Sequence, residues 1–163
     1  MKKSLSKLQV RVGEGSRWNT IVFFAPGIPV PQGNLKPFTY KGQDGTVRAS
    51  MAEGTKGLHP WRASLGYVAL MAKNESQHPG FFGREPVLLR AEFIFPRPKG
   101  LPKYVRAKVS NPDLSKLVRA IEDAITGILI GDDAQVVRIE AGKRYVRRYD
   151  EEAGAIVLIE KAS

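Results

Sequence analysis

The fold of this 163-residue chain is decided by the segment NPDLSKLVRAIEDAITG at residues 111–127, which GDDAQVV follows at residues 131–137. Apolar residues recur at intervals of three and four in the first segment, at Leu114, Leu117, Val118, Ile121, Ala124 and Ile125. This spacing predicts an amphipathic helix with one apolar stripe facing a core. Asn111 is the predicted N-cap, Pro112 suits the first helical position, and Gly127 is predicted to end the helix.

Acidic residues lie at both ends of this predicted helix. Asp113 falls in its first turn, whereas Asp132 and Asp133 follow it and precede a strand-like segment at 134–139. Bringing these carboxylates together is costly unless a cation lies between them. Mg²⁺ is typically held by a few protein carboxylates and substrate phosphates. The pattern therefore favours a metal site, and the alternative is that Asp113 only complements the helix dipole.

The chain as a whole is strongly basic. Lys and Arg number 26 against 16 Asp and Glu, which gives a formal net charge of +10. An excess of this size favours nucleic acid as a partner, with an anionic membrane surface as the second candidate and solubility alone as the third. A membrane is disfavoured because no segment has the length or the pattern of a spanning or basic amphipathic helix. The absence of cysteine excludes disulfides and thiolate metal sites and favours a reducing cytoplasm.

The remaining patterns predict one α/β (α+β) domain, with a mixed sheet of about four to five strands packed on two main helices. Strands are predicted at 18–25, 86–95, 134–139 and 155–159, and the first helix at 61–76. Residues 28–38 are predicted to be a proline-rich loop, and residues 39–57 a hairpin or an irregular excursion. A turn at 150–154 is predicted to join the last two strands as a hairpin.

Basic and polar side chains are concentrated in the proline-rich loop, at 96–108, in the acidic helix and at 143–149. We predict DNA contacts from Gln32, Asn34, Lys36, Arg97, Lys99, Lys103, Arg106, Lys108, Lys116, Lys143, Arg144, Arg147 and Arg148. Two alternatives stay open. The 96–108 segment could equally be a solvated surface loop without a DNA contact. The arginines after residue 143 could equally belong to an edge strand, where their charge prevents aggregation.

These motifs resemble the RusA family of Holliday junction resolvases. The resemblance is carried by Pro112-Asp-Leu, a basic residue at 119, Asp123-Ala, the segment DDAQVV at 132–137 and Lys143. GIPVPQG at 27–33 is similar to the proline-rich turn of that family. The resemblance runs from about residue 18 to residue 161, and implies a nuclease domain at 18–163 after a flexible basic segment at 1–17.

The resemblance also implies a function. Members of this family are homodimeric, Mg²⁺-dependent endonucleases that cleave four-way junctions and other branched DNA, with Mn²⁺ as an alternative metal. Asp113, Asp132 and Asp133 match the metal-binding and catalytic carboxylates. Arg119 stands where the family has a lysine, and would contact the scissile phosphate.

Three positions depart from the family pattern. The family continues Pro-Asp-Leu with Asp-Asn, whereas this chain has Ser115 and Lys116, and Arg119 replaces the lysine that follows. A serine hydroxyl adds no charge, so cation affinity should fall. Arginine does not readily give up a proton, so it suits charge stabilisation better than acid catalysis. The alternative function is therefore a junction- or DNA-binding protein of the same fold with weakened or lost cleavage.

Overall fold

A computed structural model describes residues 19–33, 35–53, 55–81 and 83–162. The predicted flexible segment at 1–17 and the candidate residue Asn34 lie outside these ranges and stay predictions. Neither of the two helices in the described ranges has the combination of length and hydropathy that a membrane-spanning helix needs.

The described residues form six strands and two α-helices. In chain order they are β1 (Thr20–Pro26), β2 (Leu35–Lys41), β3 (Val47–Glu53), α1 (Leu58–Ser76), β4 (Val87–Phe95), α2 (Leu114–Ile125), β5 (Val136–Tyr145) and β6 (Gly154–Lys161). A short 3₁₀ helix at Asp133–Gln135 leads into β5.

Four of the strands form one mixed sheet in the order β1-β6-β4-β5. β4 pairs with β5 in parallel and with β6 antiparallel, and β1 pairs with β6 antiparallel. β2 and β3 form a separate antiparallel pair. The predicted α+β domain with a mixed sheet and two main helices is therefore confirmed.

The predicted hairpin between the last two strands is wrong, because β4 lies between β5 and β6. The cause is visible in the composition of β4, VLLRAEFIF, in which every residue except Arg90 and Glu92 is buried. A strand that is apolar on both faces is stabilised best in the interior of a sheet. β5 has several exposed residues and lies at the sheet edge.

Both helices contribute to the core that covers one face of this sheet. Trp61 and Leu65 of α1 and Leu117 and Ile121 of α2 belong to the same buried cluster as Phe93 of β4. α1 packs against α2 and β1, and α2 packs against β5. The apolar stripe predicted for α2 therefore faces the core.

The end of α2 is as predicted, but its start is not. The helix ends at Ile125, and Gly127 follows with a φ of +81°, the left-handed conformation that glycine adopts readily. The N-cap is Asp113 rather than Asn111, so Pro112 precedes the helix. The Nζ of Lys143 donates to the carbonyl of Pro112 at 2.6 Å and to that of Ser110 at 2.8 Å, which fixes the chain before the helix.

The loop predicted at 28–38 is shorter in the structure. β2 begins at Leu35 in spite of Pro37, which a two-stranded ribbon tolerates because each strand has an unpaired edge. Of the two readings left open for 39–57, the hairpin is confirmed, with β2 and β3 joined by a turn at 42–46.

The central position of β4 predicts a large cost for truncating its core side chains. Leu89→Ala should lower the free energy of unfolding by about 2–5 kcal/mol, because Leu89 is fully buried. Urea unfolding measures this loss. Val109→Ala, at an exposed loop residue, is the control and should change the value by less than about 0.5 kcal/mol. Equal effects of the two substitutions would contradict the assignment of β4 to the core.

Candidate active site

A groove of about 960 Å³ lies between α2 and the outer strand β5. Its polar lining comprises Gln32, Ser115, Lys116, Arg119 and Glu122. Leu114, Val118, Ile139 and Ala141 provide apolar surface. The side chains of Ser115, Arg119 and Glu122 recur at intervals of four and three along α2, so they share one face of the helix.

Asp113 lies at the end of the groove where α2 begins. It is the N-cap residue, and its side chain is 57% exposed with one carboxylate oxygen 3.5 Å from the Nζ of Lys116. Lys143 fixes the backbone of Asp113 by donating to the carbonyl of Pro112, the residue before it. An exposed carboxylate beside one lysine can still accept a cation.

Asp132 and Asp133 lie after the other end of α2, where Gln135 fixes the backbone. The buried Gln135 side chain accepts from the N–H groups of Gly131 and Asp132, and donates to the carbonyls of Phe81 and Glu85. This fourfold bonding explains the glutamine of the DDAQVV motif.

The two adjacent aspartates differ in their surroundings. Asp132 Oδ1 accepts from the N–H of Ala134 at 2.8 Å, and this bond caps the 3₁₀ helix. Asp133 is the first residue of that helix and is exposed. Asp133 is therefore better placed than Asp132 to hold a cation, since one oxygen of Asp132 already accepts the capping bond.

The structure places Asp113 far from Asp133. Asp133 lies close enough to Glu122 to affect its ionisation, and Glu122 is nine residues along α2 from Asp113, or roughly 13 Å at the α-helical rise. The length of β5 also separates the two aspartates. This strand runs from Val136, next to the 3₁₀ helix, to Lys143, which contacts Pro112. The seven residue steps from Val136 to Lys143 span about 23 Å.

One chain alone therefore does not bring Asp113 to Asp132 and Asp133, and the predicted metal site of these three residues stays a prediction. Among the residues that the structure describes, no group of three or more His, Asp or Glu side chains is arranged to hold a metal ion. The physical reason is the direction of α2, which separates its N-cap from the segment that follows its C-terminus. One chain provides two acidic positions, one at each end of the groove.

Glu122 is a groove residue that the sequence reasoning missed. Partial burial raises the pKa of its carboxyl, the negative charge of Asp133 raises it further, and the guanidinium of Arg119 opposes both effects. Its spacing of three residues from Arg119 was a signal available in the sequence. Glu122 and Asp133 are thus neighbouring carboxyls at one end of the groove.

Several of the predicted DNA-binding cations form hydrogen bonds to the protein backbone. Arg97 donates to the carbonyls of Pro102, Val105 and Val146, and its guanidinium lies 5.6 Å from the centre of the Tyr145 ring. These bonds fix the basic segment at 96–108 as an ordered loop.

Lys108 and Lys143 fix the chain that leads from this loop to α2. The Nζ of Lys108 donates to the Ser110 hydroxyl and lies 5.1 Å from the centre of the Phe95 ring. Lys143, as described above, donates to two carbonyls ahead of α2. Both ammonium groups are therefore engaged within the protein.

Arg144 is the most deeply buried of these cations. Its side chain is 9% exposed and forms ion pairs of 2.6 Å with both Glu92 and Glu151. The basic and aromatic patch predicted at 143–149 is accordingly reduced, because Arg144 and Tyr145 are buried.

Other predicted DNA-binding residues remain on the surface. Exposed cations are Lys99, Lys103, Arg106, Arg147 and Arg148. Arg147 and Arg148 also form ion pairs with Glu92 and Asp150. The side chain of Lys36 is outside the described part of the structure, although its backbone belongs to β2.

Comparison with known families gives one match. The family model described as endodeoxyribonuclease RusA matches residues 26–160, from the end of β1 through almost all of β6. No curated protein matches the chain. The resemblance drawn from the DDAQVV and Pro-Asp-Leu motifs is therefore confirmed.

The burial of Arg144 predicts a structural rather than a surface role. Arg144→Ala should lower the free energy of unfolding by about 2–3 kcal/mol. This loss is smaller than the full cost of breaking a buried ion pair, because Glu92 and Glu151 are partly exposed to solvent. Chemical denaturation tests this value. Arg148→Ala, at an exposed arginine, is the matched control and should cost less than about 0.5 kcal/mol. A neutral Arg144→Ala would contradict the ion-pair network.

The ionisation of Glu122 predicts a pH-dependent stability. Because its pKa is raised in the folded state, the ionised carboxylate destabilises the fold as pH rises through that pKa. Glu122→Gln should therefore raise the melting temperature at pH 7 to 8. This gain should disappear below pH 4.5, the ordinary pKa of a glutamate carboxyl, because the wild-type side chain is then neutral as well.

Glu151 provides a control of opposite sign. The hydrogen bond from Arg144 lowers the pKa of Glu151, so its charge stabilises the fold above pH 4.5 and this contribution is lost as pH falls through the lowered value. Glu151→Gln should lower the melting temperature at neutral pH. Thermal unfolding across pH measures the melting-temperature change of each variant. Changes of the same sign in Glu122→Gln and Glu151→Gln at neutral pH would contradict the opposite pKa shifts of the two carboxyls.

Proposed function

Because this chain belongs to the RusA family of endodeoxyribonucleases, we propose that it is a Mg²⁺-dependent, structure-selective endonuclease. It hydrolyses phosphodiester bonds at Holliday junctions and other branched DNA, in recombination and repair. The observation that carries the proposal is a groove with Lys116 and Arg119 in its lining and an exposed aspartate at each end. Cations in such a groove suit a phosphate backbone, and carboxylates suit a hard divalent cation.

The metal site requires two copies of the chain. Asp113 and Asp133 lie too far apart in one chain to hold the same ion, and both are exposed. Two copies related by a two-fold axis, with their α2 helices antiparallel, would bring Asp113 of one copy to Asp133 of the other. The dimer would then contain two equivalent acidic sites.

The surface beside the groove supports such a dimer. Val137 and Ile139 are 62% and 48% exposed on β5, the edge strand of the sheet. Apolar side chains on an exposed edge favour contact with another protein surface. A two-fold dimer also suits the substrate, because a four-way junction offers two symmetric cleavage positions.

Glu122 would complete each shared site. Ser115 stands where the family has a second helix carboxylate, so the Asp113 end of the groove is deficient in negative charge. Glu122 lies near Asp133, and would enter the shared site with it. Asp113 of one copy and Asp133 and Glu122 of the other would together offer three carboxylates to Mg²⁺, with Mn²⁺ as an alternative.

The chain's own residues have distinct tasks in this scheme. When bound, Mg²⁺ supplies Lewis-acid stabilisation of negative charge on the phosphate. Arg119 donates to the non-bridging phosphate oxygens, and its permanent charge suits the transition state. Lys116 neutralises a neighbouring phosphate, and the exposed cations Lys99, Lys103, Arg106, Arg147 and Arg148 bind the DNA arms.

A second candidate is a junction-binding protein of the same fold without cleavage. It is favoured by Ser115, which lines the groove at the position of a family carboxylate. Incubation of labelled four-way junction and duplex DNA with and without Mg²⁺ separates the two functions. Nicking of the junction that Asp133→Asn abolishes supports the nuclease, and tight junction binding without nicking in any divalent cation supports the second candidate.

The shared site predicts complementation between two inactive variants. Asp113→Asn and Asp133→Asn should each lower junction nicking by more than about 100-fold, since every site then lacks one carboxylate. A refolded equimolar mixture should recover about a quarter of wild-type nicking, because half of the dimers are mixed and each mixed dimer has one intact site.

The control for this mixture is Asp113→Asn refolded with Asp113→Asn/Asp133→Asn. In that pair every shared site lacks Asp113, so no recovery is expected. Nicking in the mixture of single variants should also stay on one strand of each junction. No recovery above the control would show that each site uses carboxylates of a single chain.

A further inference from the structure

The β2–β3 hairpin is a two-stranded ribbon outside the main sheet and outside the described buried core. Its tip is ordered by Asp44, which accepts from the N–H of Thr46 at 3.1 Å and from its hydroxyl at 2.6 Å. Asp44 also pairs with Arg48 at 2.8 Å. The hairpin is thus a defined projection.

The root of the hairpin lies at the rim of the groove. The N–H of Gln32 donates to the carbonyl of Lys116 at 2.9 Å, and Gln32 and Gly33 both line the groove. Gly33 also lies against Thr55, so closely that a Cβ at residue 33 would clash with the threonine side chain. DNA held in the groove would therefore pass beside the base of the ribbon.

One face of the ribbon carries aromatic rings and a guanidinium group. Phe38 and Tyr40 are two residues apart on β2, and their rings are 6.1 Å apart. Tyr40 is paired with Arg48, and Phe38 with Ser50, so all four side chains share a face. Phe38 is 45% exposed and Tyr40 46% exposed.

We propose that this face, made by Phe38, Tyr40 and Arg48, stacks on unpaired bases at the branch point of DNA bound in the groove. The inference rests on the proposed function and names the part of the substrate that the ribbon recognises. Exposed aromatic rings offer stacking surface to any base, and the planar guanidinium of Arg48, which Asp44 holds in place, extends this surface. The position of the ribbon root beside the groove and the charge of +10 favour DNA over a protein partner.

Binding measured without divalent cations tests the inference independently of cleavage. Fluorescence anisotropy should compare a four-way junction that has unpaired bases at its centre with a duplex of the same sequence. Phe38→Ala/Tyr40→Ala should weaken binding to the junction about tenfold, and binding to the duplex less than about twofold. Tyr67→Ala, which removes an exposed tyrosine of α1, is the matched control and should change neither affinity.

A second variant retains the stacking surface. Phe38→Trp should bind the junction as the wild type does, and its added indole emission should be quenched by the junction more strongly than by the duplex. Unchanged junction affinity in the double alanine variant overturns the inference. If that variant is also less dimeric than the wild type, the aromatic face is a protein interface and not a DNA-binding surface. Equal weakening for junction and duplex overturns it as well. Junction binding that depends on the ribbon, in a protein that never nicks DNA, would leave this inference standing while the proposed cleavage fails.

Discussion

The parallel pairing of β4 with β5 is the constraint on which the rest of the structure depends. Two parallel neighbours require the chain to return from the end of one strand to the start of the next. In this protein α2 makes that return, so it runs antiparallel to both strands. The N-cap Asp113 consequently lies near the end of β5, and Asp133 lies near its start. The separation of the acidic residues thus follows from the topology, and the proposed dimer would bring them together.

Polar side chains from distant parts of the chain hold this crossover in place. Lys143 of β5 binds the backbone ahead of α2, and Gln135 binds the segment after it to the region between α1 and β4. Arg97 orders the loop that leads from β4 towards α2. Part of the large positive charge therefore stabilises the fold, and the exposed remainder is available to DNA.

Local patterns in the sequence were sufficient for α2 and β4. The three- and four-residue spacing of the apolar residues in α2 and the apolar run in β4 predicted both elements, and the DDAQVV motif predicted the family. The N-cap could not be found in the same way, because its position depends on Lys143, 30 residues along the chain from Asp113. The burial of Arg144 likewise depends on Glu92, a non-local partner in β4.

The arrangement of the predicted metal residues also depends on non-local structure. Sequence proximity suggested that Asp113, Asp132 and Asp133 meet, and within one chain the length of α2 separates Asp113 from the other two. Glu122 was overlooked because its raised pKa results from the fold, through burial and the proximity of Asp133. Its spacing along the helix puts Glu122 on one face with Ser115 and Arg119, but only the fold brings it near enough to Asp133 to affect its ionisation.

The most direct measurement for the proposed shared site is a crystal structure of the protein grown with Mn²⁺, whose anomalous scattering locates the ion. We expect Mn²⁺ bound by Asp113 of one copy together with Asp133 of the other, at about 2.0–2.3 Å from their oxygens. An ion bound only by carboxylates of a single chain, or ions bound away from both aspartates, would contradict the shared site.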